Sequence, residues 1–74
     1  MNKERRTRIS WVINNLETCK DSLENVREAE QESFDNIPES LQESDRGQAM
    51  ETNIEIFDEV IGNLDEMIDM LSEI

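Results

Sequence analysis

The apolar residues of this chain recur in alternating steps of three and four, in two long stretches separated by the chain's single proline, Pro38. The first stretch is Ile9, Val12, Leu16, Cys19, Leu23 and Val26; the second is Met50, Ile54, Phe57, Ile61, Leu64, Ile68 and Leu71. Alternating threes and fours average to the 3.5-residue repeat of a coiled-coil seam, a pattern no strand can use because strands alternate faces with period two. The expectation is an all-α fold: one domain over residues 1–74, with a helix at 3–35, a connector at 36–45 and a helix at 46–73. The first seam continues into Glu30 and Ser33, where it weakens, and Ala29, Phe34 and Ile37 make up the loss. Pro38 pushes Ile37 out of helical geometry. It can open a short turn over Glu39-Ser40-Leu41-Gln42, with Leu41 closing the end of the core. Asp45, with Gln48 three residues on, fits a variant capping box for the second helix.

A short connector between helices of similar length dictates an antiparallel hairpin, coiled-coil-like in its packing. Folding about Leu41 sets Ile9 near Leu71, Leu16 near Leu64, Leu23 near Phe57 and Phe34 near Met50. It also sets Arg5, Arg6 and Arg8 near Asp69 and Glu73.

Seventy-four residues supply a core that rarely contributes more than about 3–5 kcal/mol. Small chains make up the shortfall with disulfides, metals or association. Cys19 is the only cysteine and there is no histidine, so neither an internal disulfide nor a zinc cluster is open to it. Cys19 falls on the seam and reads as an inert packing residue. Association is what remains. The apolar arc of the second helix covers roughly 160°, wider than one neighbour requires: Val60, Met67 and Ile74 flank the seam, and Ile56 and Met70 extend it. The expected assembly is a homodimer forming a four-helix bundle, or a larger oligomer, with Trp11, Ile56, Val60, Met67 and Met70 as the self-association residues. Gly62 lies outside the arc and costs about 1 kcal/mol relative to alanine.

The formal net charge is −12. It opposes direct binding to nucleic acid or an anionic membrane and favours basic protein partners. No enzyme is expected: without histidine the Ser-His-Asp and Cys-His arrangements are impossible, and a two-helix hairpin offers little concavity for carboxylate chemistry. No glycine-rich phosphate loop and no calcium loop occurs, so no cofactor and no metal is expected. The basic start at Lys3, Arg5, Arg6 and Arg8 is followed by no apolar signal region, and no stretch reaches the ~18 apolar residues of a membrane span. A lone thiol fits a reducing cytoplasm. The basic cluster reads more readily as an ion-pair partner for the acidic end of the second helix than as a nucleic-acid or membrane contact.

From Glu28 to Ile74 there are fifteen acids and one base, Arg46. Along one side of the second helix stand Glu51, Glu55, Asp58, Glu59, Asp65, Glu66, Asp69 and Glu73. They span roughly 33 Å, or about one charge per 4 Å, close to the one charge per ~3.4 Å of a single strand of B-DNA. Like charges at i,i+3 and i,i+4 destabilise a helix by roughly a few tenths of a kcal/mol each, a repeated cost that implies a use. With Arg5, Arg6 and Arg8 answering Asp69 and Glu73, the uncompensated acid is expected towards the connector and middle: Glu39, Glu43, Glu51, Glu55, Asp58 and Glu59.

The stretch from Glu30 to Glu51, and within it Asp35-Asn36-Ile37-Pro38-Glu39-Ser40-Leu41-Gln42, resembles short acidic helical-hairpin proteins encoded by bacteriophages and prophages. These look like two helices joined by a similar Asp-Asn-x-Pro-Glu-Ser-Leu-Gln connector and followed by an acidic amphipathic helix. The resemblance implies a phage context and no assigned functional residues. In that context the expected function is inhibition of a basic host protein in the host cytoplasm (a nuclease, a CRISPR effector or a DNA-binding protein) through a DNA-mimicking acidic face. The alternative is a structural or scaffolding coiled-coil module in which Trp11, Ile56 and Met70 carry the interaction and the acids are only solvated.

Overall fold

The computed structural model describes residues 1–74. Helix α1 runs Lys3–Asp35, the single turn α2 Glu39–Gln42, and α3 Asp45–Ser72. Neither proline nor glycine interrupts α1, so its backbone ladder runs unbroken through nine turns' worth of good helix formers. Asn2 opens it, its side-chain oxygen accepting from the Arg5 N–H at 2.9 Å. Asn36 closes it by donating its own N–H back to the Glu32 carbonyl. Pro38, extended at φ −52° and ψ 138°, ends any continuation and starts α2.

The connector is tied to both long helices by side-chain amides and hydroxyls. Gln42 Nε2 donates to the Phe34 and Ile37 carbonyls at 3.4 and 3.3 Å, tying α2 to the end of α1. The cap of α3 is Ser44 rather than the expected Asp45. Its hydroxyl donates to the Leu41 carbonyl at 2.5 Å and accepts from the Gly47 N–H at 3.3 Å. Asp45 becomes the first helical residue, where its charge favours the positive end of the helix dipole. Leu41 does not close the core; it is exposed. The closure comes from Gly47, which is buried and packed so closely on α2 that a Cβ there would stand 2.0 Å from the Gln42 carbonyl oxygen.

α1 and α3 pack antiparallel in a molecule 58 Å long. Lys20 pairs with Asp65 and Arg27 with Asp58, Asn53 bonds Glu30, and Arg6 reaches the Ile74 carbonyl. These pairs follow the register read from the sequence. The dry core is thin: Ile54 and Ile68 are its only buried apolar residues, each 8% exposed, and α1 contributes none.

The face that α1 turns inward differs from the expected seam. Ile9, Leu16, Leu23, Glu30 and Phe34 are partly covered as expected, but the positions between them are Ile13, Lys20 and Arg27, not Val12, Cys19 and Val26. Val12 and Val26 are 39% and 50% exposed, and Cys19 is exposed as well. The helix is rotated so that two long basic side chains lie along the joint. Their aliphatic stems cover apolar surface while their charged ends reach the acids of α3.

Candidate interaction surfaces

The rotation of α1 divides the hairpin into two unlike faces. In an antiparallel pair, flanks joined by cross-helix bonds mark one side of the joint. Lys20–Asp65 and Arg27–Asp58 therefore set the flank of α1 holding Lys20 and Arg27 beside the flank of α3 holding Asp58 and Asp65.

Projected at about 100° per residue, the acids of α1 (Glu17, Asp21, Glu24 and Glu28) fall on that same side. Glu17, Lys20, Asp21, Asp65 and Asp69 line one shallow depression there. All eight acids singled out on α3 (Glu51, Glu55, Asp58, Glu59, Asp65, Glu66, Asp69 and Glu73) are exposed. Glu59 and Glu66 lie furthest round, on the outside of α3 away from α1. The acids of α1 are a part of this surface that attention to the second helix alone overlooks. Their steps of four, three and four already place them on one stripe.

Two of the eight are answered. Lys20 Nζ donates to Asp65 Oδ1 at 2.6 Å. Arg27 grips Asp58 with both ends of its fork, Nε to Oδ1 at 2.9 Å and Nη2 to Oδ2 at 3.4 Å. The hydrogen bond to Asp65 raises the Lys20 ammonium above its ordinary 10.5 against the opposing effect of desolvation, and Asp58 raises Arg27 in the same way. The expected compensation at the far end of α3 is not found. Lys3, Arg5, Arg6 and Arg8 form no ion pair with Asp69 or Glu73, and Arg6 instead donates to the Met1 and Ile74 carbonyls, both at 3.3 Å. The paired acids are mid-helix, where α1 carries its two interior bases. Glu51, Glu55, Glu59, Glu66, Asp69 and Glu73 are the uncompensated ones.

The opposite face carries little charge. On α1 it runs from Val12 through Cys19 and Val26 to Ala29 and Ser33; on α3 it runs from Ala49 through Ile56, Val60 and Met67 to Met70 and Ile74, with Arg46 at its connector end. The joint between the helices is open here as a groove lined by Thr18, Cys19, Ser22, Leu23, Val26 and Leu64. Trp11 is 67% exposed, Met70 68%, Ile56 50%, Met67 45% and Val60 40%. Of the five residues expected at a self-association surface, Ile56, Val60, Met67 and Met70 fall on this side, whereas Trp11, two residues from both Ile9 and Ile13, projects from the back of α1 away from α3. Val12, Cys19 and Val26, assigned from the sequence to the internal seam, stand beside them.

No three His, Cys, Asp or Glu side chains are grouped so as to hold a metal ion, and no helix is long and apolar enough to cross a membrane. No family model, curated protein or solved structure matches the chain.

Proposed function

We propose that this protein is an acidic docking module. Two copies join through their uncharged faces into a four-helix bundle, and each presents its acidic face to the basic, nucleic-acid-binding surface of another protein, occupying it in place of DNA or RNA. The observation that carries this reading is the segregation of charge. A chain that needed its acids only for solubility could distribute them around both helices. Here they leave one whole face free, so that a −12 molecule can associate without bringing like charges together. On the other face six unpaired carboxylates of α3 span about 33 Å, with the acids of α1 alongside. Such a field steers association with a basic groove and weakens with salt. The resemblance to phage-encoded hairpins points to a host nuclease, CRISPR effector or DNA-binding protein as the target, met in the host cytoplasm. In this reading the protein acts by occupancy and has no catalytic role.

The test is displacement of labelled duplex DNA from purified basic nucleases and DNA-binding proteins. The wild-type chain should displace DNA, with an inhibition constant that rises steeply between low and physiological salt. A variant carrying Glu55→Lys, Glu59→Lys, Glu66→Lys and Asp69→Lys should not. Equal displacement by the two proteins, or displacement indifferent to salt, would sink the mimic reading. It would favour the scaffolding alternative, for which the exposed Trp11, Ile56 and Met70 speak.

A further inference from the structure

We infer that the two copies pair antiparallel, the open end of one hairpin lying over the connector end of the other. The inference rests on the dimer proposed above and deepens it. The uncharged face follows a molecule 58 Å long and 15 Å wide at the Cα trace. That extent is on the order of the ~800 Å² per partner that a stable interface buries. The occupant is a second copy because this face belongs to a hairpin whose own dry core is only Ile54 and Ile68, and because an uncharged surface is the one part of so acidic a chain that its twin can approach.

A gradient of charge runs along the molecule and fixes the orientation. By projection, Arg5 and Arg8, with Glu4 beside Arg8, stand at the margin of the face at the open end, and Glu30 and Arg46 stand towards the connector. The surroundings deepen the contrast, since Glu28 to Glu55 holds nine acids and one base, whereas Lys3, Arg5, Arg6 and Arg8 form no ion pair within the chain. Laid parallel, two copies would set arginine against arginine and the two acid-rich connectors side by side. Laid antiparallel, each acid-rich connector lies over an open end, where Lys3, Arg5, Arg6 and Arg8 stand against Glu4, Glu66, Asp69 and Glu73, and the repulsion between connectors is relieved.

The two-fold axis then crosses at the height of Cys19, the midpoint of α1.

Electron–electron distance measurements on spin labels test this in the full chain. Cys19→Ser removes the native thiol at an exposed site, and Ser40→Cys places a label on the connector; Lys3→Cys in the same background places one at the open end. Each dimer should give an inter-label distance comparable to the 58 Å molecular length. Short distances at both positions, within roughly 25 Å as adjacent parallel helices demand, would overturn the antiparallel orientation and leave the dimer standing. Monomeric mass by sedimentation, for wild type and both labelled variants, would overturn the dimer and the inference with it. Circular dichroism on each variant checks that the helices are intact, and Glu43→Cys replaces Ser40→Cys if that site perturbs α2.

Discussion

At Gly47 the absence of a side chain decides whether the hairpin can close. A methyl group there would meet the carbonyl oxygen, carbonyl carbon and Cα of Gln42 at 2.0, 2.6 and 2.9 Å, all of them backbone. Gly47→Ala should therefore displace α2 from α3 and cost about 1–3 kcal/mol, seen as a melting point lower by several degrees. Gly62 is the control. Nothing lies within 4 Å of its missing Cβ, so Gly62→Ala should raise stability by about 1 kcal/mol through helix propensity alone. The same sign at both glycines in thermal melts would contradict this assignment. Lys20 offers a third residue-level test. Its pKa is raised in the folded chain by the hydrogen bond to Asp65, so the stability it contributes is complete below its ordinary value and is lost as pH rises through the raised one. The melting-point advantage of wild type over Lys20→Met should be complete below pH 10.5 and shrink as the pH is raised above it. An advantage that persists at high pH would show that the stem, not the charge, does the stabilising.

For the helices, the sequence announces their number, length and antiparallel register, because seam spacing and a lone proline are local signals. It does not announce which way α1 turns. Ile9, Leu16, Leu23 and Glu30 belong to the inward face in either case, and the choice lies between Val12, Cys19 and Val26 on one flank and Ile13, Lys20 and Arg27 on the other. Apolarity points to the first flank. The structure takes the second, where the stems of lysine and arginine cover the joint and their heads meet Asp65 and Asp58. That preference depends on a partner helix and is invisible in a count of apolar residues along one. The same rotation explains why the acidic site was read only in part: α3 displays its acids whatever α1 does, whereas Glu17, Asp21 and Glu24 join them only once α1 is turned. The cap at Ser44 was likewise obscured by Asp45, an equally good capping residue one position on. A consequence for α3 can be measured. Its like-charge neighbours, Glu51 with Glu55 and Asp69 with Glu73 among them, repel within the helix, and only Asp58 and Asp65 are paired. Screening should thus help more than it harms. The melting temperature should rise between low salt and about 0.5 M sodium chloride, where the Debye length is only a few ångströms; a steady fall would mean that the two ion pairs outweigh the repulsion.

The whole molecule, in the proposed dimer, has a stability tied to its concentration. Dimerisation stabilises by mass action, so tenfold dilution should lower the melting temperature. Val60→Glu with Met67→Glu should remove that dependence, because the pair introduces buried, unpaired charge into the uncharged face. An unchanged concentration dependence in the double variant would place the contact elsewhere. The division of the hairpin into an acidic and an uncharged side has one more consequence. When two such hairpins close their uncharged sides on each other, the acidic sides are turned outward in opposite directions, back to back. The dimer is then bivalent. A target carrying two basic grooves, or one that is itself dimeric, would be gripped with an avidity well above that of a single face. A monomeric target would be carried in pairs, one on each side of the bundle.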